Sequence, residues 1–202
     1  MFVERASRIL KHFMPAVWSI KDGTKSVYLT FDDGPCAEIT PKVLDILKFY
    51  NVKATFFCVG ENVKNHSGVF RQIIKDGHTV GNHTMHHIKG FNTKFADYIA
   101  DIEEADSYIK SPLLRPPYGR ITLKQLAELK KKYKIIMWDV ITRDYNTKLN
   151  PEKCFSIVKR FTQKGSIIVF HDSVKASKNM LVALQMSIEW LKSKGYEFKI
   201  IS

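Results

Sequence analysis

The stretch Ser26-Val27-Tyr28-Leu29-Thr30-Phe31-Asp32-Asp33-Gly34-Pro35 joins an apolar run to two adjacent carboxylates and a turn. The run predicts a buried strand, and Gly34-Pro35 marks its end. Neighbouring carboxylates disfavour each other's ionisation, and a nearby cation would remove that repulsion. One carboxylate could then act as a ligand and the other as a base. An ordinary Asp-Gly-Pro loop is the alternative interpretation.

Strand and helix patterns alternate along the rest of the chain. Further predicted strands lie at 54–59, 78–81, 113–114, 135–140, 167–170 and 198–201. Predicted helices lie between them, one with Thr40 as its N-cap and one around residues 63–75. Such alternation favours parallel strands with helices outside them, in an α/β domain. Six or seven strands suit a doubly wound sheet or a small barrel. Since an eightfold barrel needs about 250 residues, a barrel of 202 residues would be irregular or short of a strand.

Composition bounds the function classes. The chain is long enough for one domain with a proper core, and its net charge of +12 favours anionic partners. The lysines are scattered and no nucleic-acid-binding motif focuses them, so we predict no nucleic-acid partner. The charge points only weakly to an acidic glycan. Cys36, Cys58 and Cys154 lack metal-finger spacing and are predicted to be reduced thiols, which favours a cytoplasmic location.

The N-terminal segment, residues 1–25, has a basic amphipathic pattern. Its apolar residues follow helical spacing up to a bend at Pro15: Phe2, Val3, Ala6, Ile9, Leu10, Phe13 and Val17. We expect this segment to pack against one end of the domain at 26–202, and docking to an anionic membrane is the alternative. No signal peptide is evident, and no apolar stretch is long enough to span a bilayer.

Polar residues follow the carboxyl ends of several predicted strands. They are Asp32-Asp33, Arg115, the stretch from Asp139 to Asp144, and His171. In parallel α/β folds, that edge carries the active site. The sequence therefore predicts one site at this edge.

His83 and His87 are spaced for a shared metal ion. In a helical turn, residues four apart lie on one face, although His86 offers a competing pair and surface histidines are the alternative. Together with Asp33, they make a two-histidine, one-carboxylate set. Three protein ligands leave a position open for water, as catalytic sites require.

Three further residues suit the chemistry around such an ion. Asp32 could serve as the base, and Arg115 could keep it ionised through a two-pronged contact. His171, at the end of an apolar strand, is a candidate general acid. A packed core histidine is the alternative for His171.

The ordered motifs TFDDGP, HTMHH, RPPYG, WDVITRDY and IIVFHD resemble those of the polysaccharide deacetylases, the NodB-homology or carbohydrate esterase family 4 enzymes. The resemblance covers Ser26 to about Asp172 and extends to the final helix and strand. It implies a distorted, incomplete (β/α) barrel. It also implies metal-dependent hydrolysis of N-acetyl, sometimes O-acetyl, groups on a carbohydrate, with N-acetylglucosamine as the expected sugar. The implied cofactor is one divalent ion, usually zinc and sometimes cobalt.

By motif position, the resemblance implies a role for each site residue. Asp33, His83 and His87 correspond to the metal ligands, Asp32 to the base and Arg115 to its tether. The backbone amide of Tyr118 corresponds to the oxyanion donor, His171 to the general acid and Asp144 to the carboxylate that orients it. Pro117 and Tyr145 are expected in the substrate pocket, where Tyr145 replaces the family's usual Trp.

Two alternatives stay open at this stage. One is a metal-dependent amidase or imidase for a small non-sugar molecule, and the other is a glycan-binding relative without activity. The sequence names neither the exact sugar nor the native metal nor the oligomeric state.

Overall fold

The structure is a computed structural model that describes residue 4 and residues 14–202. The predicted N-terminal amphipathic helix falls mostly outside these residues, so it stays a prediction, as does the domain boundary at residue 25. Glu4 lies beside residues 141–143: its carbonyl accepts from Ile141 N at 3.0 Å, and its carboxylate pairs with Arg143 at 2.8 Å.

Parallel strands form one curled sheet. The strands are β1 (Ser26–Asp32), β2 (Thr55–Cys58), β3 (Thr79–Asn82), β4 (Leu113–Leu114), β5 (Lys134–Ile135), β6 (Val140–Ile141), β7 (Ser166–His171) and β8 (Glu197–Phe198). Their order is β5-β4-β3-β2-β1-β7-β6, with β8 beside the start of β1. All these pairings are parallel. The sheet is an incomplete barrel, so the predicted fold class is confirmed.

Helices cover the outside of the sheet. They are α1 (Thr40–Phe49), α2 (Gly60–Asn65), α3 (Ser67–Lys75), α4 (Phe95–Ile109), α5 (Leu123–Leu129), α6 (Pro151–Phe161) and α7 (Val174–Ser193). Short 3-10 turns lie at Gly90–Asn92 and Pro117–Gly119. The single helix predicted near 63–75 is two helices, because the backbone of His66 leaves helical geometry at φ −126° and ψ 44°.

The predicted strand at 135–140 is wrong in its middle. Residues 134–135 pair with β4 at one edge of the sheet, while residues 140–141 pair with β7 at the other. The chain from Ile136 to Asp139 therefore crosses between the two edges. Its ends are held by hydrogen bonds from Ile136 N to Leu114 O and from Asp139 N to Ile167 O, at 2.9 and 3.0 Å. This crossing segment joins the sheet edges covalently, without a helix between them.

Local signals explain several helix starts. Thr122 and Gln125 form a reciprocal capping box at α5, and Asn150 caps α6 ahead of Pro151. Thr40 is not the N-cap that the sequence predicts: it is the first residue of α1, after Ile39. Its hydroxyl instead donates to Asp172 Oδ2 at 2.5 Å.

The core is apolar and its thiols are free. Phe31, Phe56 and Phe170 stack across the central strands β1, β2 and β7 and are fully buried. Cys36, Cys58 and Cys154 are all free thiols. Among the described residues, no helix has the length and apolar character needed to cross a membrane.

Candidate active site

The sequence-predicted site residues gather at the carboxyl edge of the sheet. Asp32 ends β1 and is in register with His171, which ends β7. His83 follows β3, and Arg115 follows β4, whose Leu114 is in register with Asn82. Because parallel strands point the same way, these side chains converge above the barrel, as the sequence predicts.

Asp33, His83 and His87 form a cluster of ligand-type groups. Their candidate ligand atoms all lie within 4.8 Å of one another. Asp33 Oδ1 is 3.1 Å from His87 Nε2 and 3.9 Å from His83 Nε2. Burial raises the pKa of Asp33, but the hydrogen bond with His87 and the nearby imidazoles outweigh it and lower the pKa well below its usual value. The carboxylate is therefore ionised, as a ligand must be.

His83 has the environment of a metal-binding imidazole. Its Nδ1 lies 2.7 Å from the carbonyl oxygen of Arg115, so the N–H sits on Nδ1 and the lone pair on Nε2 faces Asp33. Metal-ligating histidines commonly donate the N–H of their second ring nitrogen to a carbonyl in this way. Burial, the largest cause, lowers the pKa of His83 to about 4. The ring is thus neutral near pH 7 and can bind a cation.

The HTMHH segment reaches this geometry without a helix. Residues 83–89 belong to no helix or strand, so the expected helical turn is wrong. Thr84 and His87 take positive φ values of 66° and 54°, and the loop bends to bring the two imidazole centres to 5.1 Å. His86 turns elsewhere: its Nδ1 lies 2.6 Å from Asp101 Oδ2. The structure thus selects His87 over His86 as the partner of His83.

Arg115 is a fully buried cation that holds Asp32. Its Nη1 donates to Asp32 Oδ1 at 2.5 Å and to Thr30 Oγ1 at 2.8 Å. The contact to Asp32 uses one nitrogen rather than the two-pronged fork that the sequence suggests. Asp32 is itself 4% exposed, so this ion pair lies in the barrel interior.

The same guanidinium also holds the crossing segment. Arg115 Nε donates to Ile136 O at 3.3 Å, and Nη2 donates to Met137 O at 3.0 Å. The guanidinium lies over the ring of Phe57, 4.0 Å from its centre. One side chain therefore connects the carboxylate at the end of β1 to the segment that joins the sheet edges.

His171 and Asp144 form a second buried pair. His171 Nδ1 is 2.7 Å from Asp144 Oδ1, and the backbone N–H of His171 donates to Asp144 Oδ2 at 2.8 Å. Burial lowers the pKa of His171, but the charge and hydrogen bond of Asp144, with Asp33 and Asp32, raise it to about 9. The imidazole is therefore protonated near neutral pH and can donate a proton from Nε2.

Two further residues predicted for the site lie beside other site residues, Tyr118 next to His87 and Tyr145 next to His171. Tyr118 is 54% exposed, its ring centre lies 4.8 Å from that of His87, and its backbone is left-handed at φ 60° and ψ 6°. Pro117, beside it, is buried. The ring of Tyr145 packs edge-on against His171 at 4.9 Å. Tyr145 thus lies directly beside His171, the candidate acid.

Several supporting residues have no signal in the sequence motifs. Asn62 Nδ2 donates to the carbonyl of Asp33 at 2.7 Å, and Asn179 Nδ2 donates to the carbonyl of Asp144 at 3.2 Å. Asp101 holds the HTMHH segment from α4. Each contact joins residues distant in the chain, so local patterns could not reveal it.

This fold and site define a class of protein: an α/β half-barrel hydrolase built around a candidate metal centre. The family model described as polysaccharide deacetylase matches residues 19–135. The chain is 33% identical over 193 residues to a peptidoglycan-N-acetylglucosamine deacetylase of Bacillus cereus, covering 92% of this chain and 90% of that protein. It is 34% identical to the PgdA deacetylase of Listeria monocytogenes but spans only 43% of that protein.

Two solved structures have the same fold as this chain. The crystal structure of the Bc1960 peptidoglycan N-acetylglucosamine deacetylase has a TM-score of 0.90 and 30% identity, covering 97% of this chain and 95% of that one. A CE4 family pseudoenzyme from Bacillus anthracis, BA3943, has a TM-score of 0.81 and 26% identity, and the match covers 92% of this chain and 67% of that one. The chain belongs to the polysaccharide deacetylase family, which confirms the resemblance and the class of reaction, hydrolysis of N-acetyl groups on a carbohydrate.

Proposed function

We propose that this protein removes the N-acetyl group from N-acetylglucosamine residues of a peptidoglycan-type glycan, with zinc as its metal. The observation that carries the proposal is the cluster of Asp33, His83 and His87, with candidate ligand atoms within 4.8 Å. A buried base candidate and a buried acid candidate stand next to it, in register on β1 and β7.

The donor set fits a divalent transition metal. Two imidazoles and one carboxylate are ligands that zinc prefers, and three protein ligands leave room for water and substrate. The Nδ1 contact of His83 to a carbonyl supplies the usual support behind such a ligand. When bound, the ion supplies Lewis-acid polarisation of the acetyl carbonyl and a lower pKa for water. Cobalt suits the same ligands.

The chain's own groups divide the proton transfers between them. Asp32, held by Arg115, accepts a proton from the attacking water. The backbone N–H of Tyr118 donates to the oxygen that becomes negative in the tetrahedral intermediate. His171, protonated and oriented by Asp144, gives its proton to the leaving amine. Acetate and a free amino sugar are the products.

The substrate assignment rests on the relatives and on charge. The names of the Bacillus cereus relative and of the Bc1960 structure specify N-acetylglucosamine in peptidoglycan. The net charge of +12 suits a polyanionic cell-wall polymer. Contact with a membrane through residues 1–25, and a cytoplasmic location, stay predictions.

An inactive, glycan-binding role is the second candidate, favoured only by the pseudoenzyme relative. Here the ligand cluster, the Asp32–Arg115 pair and the His171–Asp144 pair are all present. This complete set supports activity. A small-molecule amidase is the third candidate, and it would require no glycan at all.

Acetate release tests the proposal. The metal-loaded protein is incubated with N-acetylglucosamine oligomers, with isolated peptidoglycan and with a small acetamide, and chelated protein and Asp32→Asn are the controls. We expect metal-dependent release from the glycans that the Asp32→Asn variant lacks. Release from the acetamide alone supports the amidase, and stoichiometric metal binding without any release supports the inactive relative.

A further inference from the structure

A buried carboxylate holds the loop that carries Asp33. Asp172 is 1% exposed, and its Oδ1 accepts the backbone N–H of Gly34 at 3.1 Å. Its Oδ2 accepts the hydroxyl of Thr40 at 2.5 Å, and that hydroxyl accepts the backbone N–H of Cys36 at 2.8 Å. Asp172 therefore holds the loop after β1 directly at the N–H of Gly34 and, through the Thr40 hydroxyl, at the N–H of Cys36.

The packing against this carboxylate is tight. A Cβ added to Gly34 would lie 2.0 Å from Asp172 Oδ2, well inside any real contact. The backbone N–H of Asp172 also donates to the carbonyl of Asp32 at 3.1 Å. The ends of β1 and β7 are thus fixed to each other next to Asp33, the candidate ligand that follows Asp32.

A second buried carboxylate holds the loop that carries His83 and His87. Asp101, on α4, is 9% exposed. Its Oδ1 accepts the backbone N–H of Met85 at 2.8 Å and that of His86 at 3.3 Å, while Oδ2 contacts His86 Nδ1 at 2.6 Å. The contacts fall between the two histidines, where the loop turns.

Both loops contain backbone geometry that needs such support. Asp33 has φ 80°, Thr84 φ 66° and His87 φ 54°, although none is glycine. Left-handed conformations of this kind are disfavoured for residues other than glycine and persist only when the surroundings hold them. In each loop, backbone N–H groups donate to an oxygen of a buried carboxyl group, which supplies that support.

We propose that Asp172 and Asp101 are positioning residues that set the affinity and geometry of the metal site, each by holding one of its two ligand loops. The inference rests on the proposed function, in which Asp33, His83 and His87 bind the metal. Neither carboxylate belongs to the cluster of candidate ligands. The roles are separate, because the two carboxylates act on different loops.

The test measures metal binding by the 202-residue protein after a chelator has removed its metal. Dissociation constants for Zn²⁺ and Co²⁺ come from competition with a chromophoric chelator, and the visible absorption of bound Co²⁺ reports ligand geometry. The variants are Asp172→Ala, Asp172→Asn, Asp101→Ala and Asp101→Asn. Ser187→Ala is the matched control, since it removes a buried hydrogen bond to Ala183 O on α7, away from both loops.

We expect each alanine variant to bind metal about 10–100-fold more weakly and to change the cobalt spectrum. Each asparagine variant keeps an oxygen for the backbone N–H groups and should stay within about threefold of the unaltered protein. Ser187→Ala should lower thermal stability alone. The double alanine variant should show the product of the two losses, as independent sites do.

Other results overturn the inference. Alanine variants that fold, judged by circular dichroism, and bind metal as tightly as the unaltered protein would exclude a positioning role. Asparagine variants as weak as the alanine variants would exclude hydrogen bonding as the cause. If an alanine variant does not fold, Thr40→Val tests the same loop, since it removes only the hydroxyl link to Cys36, and unchanged affinity there again contradicts the inference. If the unaltered protein binds no metal, the proposed function itself fails.

Discussion

Arg115→Met tests whether one buried cation supports both the candidate base and the crossing segment. The guanidinium makes hydrogen bonds to Asp32, to Thr30 and to two backbone carbonyls of residues 136–137, and it is 0% exposed. Methionine fills much of the volume but donates no hydrogen bond. The substitution leaves a buried carboxylate without its partner and two carbonyls without a donor.

The structure sets the expected magnitude. Removing one partner of a buried ion pair costs about 3–5 kcal/mol. For a domain of this size, each kcal/mol lowers Tm by about 2–4 °C, so Arg115→Met should melt roughly 6–20 °C below the unaltered protein. Acetate release should fall at least about 100-fold, because the base candidate loses the group that aims it.

The assay combines thermal unfolding by circular dichroism with acetate release below the melting temperature. Arg71→Met, at an exposed position on α3, is the matched control and should change neither the Tm nor the rate of acetate release. Arg115→Lys keeps a charge near Asp32, but lysine cannot reach all four acceptors. Its Tm should therefore lie between those of Arg115→Met and the Arg71→Met control. A Tm for Arg115→Met within about 2 °C of the control would refute the reasoning, since a buried charge would then have been left unpaired at no cost.

Three further outcomes are expected. Against the effect of burial, Asp144 with Asp33 and Asp32 raises the pKa of His171 to about 9, and the acid works only when protonated, so kcat should fall as pH rises through about 9. Asp144→Asn should move this alkaline limb of the pH–rate profile to lower pH. An alkaline limb that does not move in the variant would contradict the pairing of His171 with Asp144. Chelation should lower the Tm of the unaltered protein, since ligand at 100 times its Kd stabilises by about 2.7 kcal/mol, but should leave the Tm of His83→Ala unchanged in a parallel melt. Tyr145→Trp places a larger ring beside His171, so release from N-propionyl sugars should fall more than release from N-acetyl sugars, and equal loss on both in matched kcat/KM measurements would remove Tyr145 from the pocket.

Much of the fold is readable from the sequence, because local patterns carry it. Apolar runs and capping residues place most strands and helices, and the chain order of Asp32, Arg115 and His171 places them at strand ends. The run Ile135-Ile136-Met137-Trp138 misleads, since it looks like a strand while its middle crosses between the sheet edges. Pairing partners, rather than the run's own composition, decide that outcome.

In the candidate site too, some features can be predicted from local sequence patterns and others depend on contacts between distant residues. The residue types of the ligand set are visible in the sequence, but the loop conformation of HTMHH is not, because spacing of four equally suits a helix. The supporting contacts of Asp101, Asn62 and Asn179 join segments far apart in the chain. Only the folded chain brings such pairs within hydrogen-bond reach.

The central position of β1 has a consequence for the order in which the molecule can assemble. β1 is the first strand in the described part of the chain, yet one of its neighbours, β7, follows about 140 residues later. During synthesis, β1 can pair with β2 early, and the loops of Asp33, His83 and His87 are available within the first half of the chain. Asp144 and His171 arrive much later. A nascent chain can therefore gather its ligand residues long before His171, the candidate acid, has been synthesised. Deacetylation then has to await the addition of β7, which ends at His171.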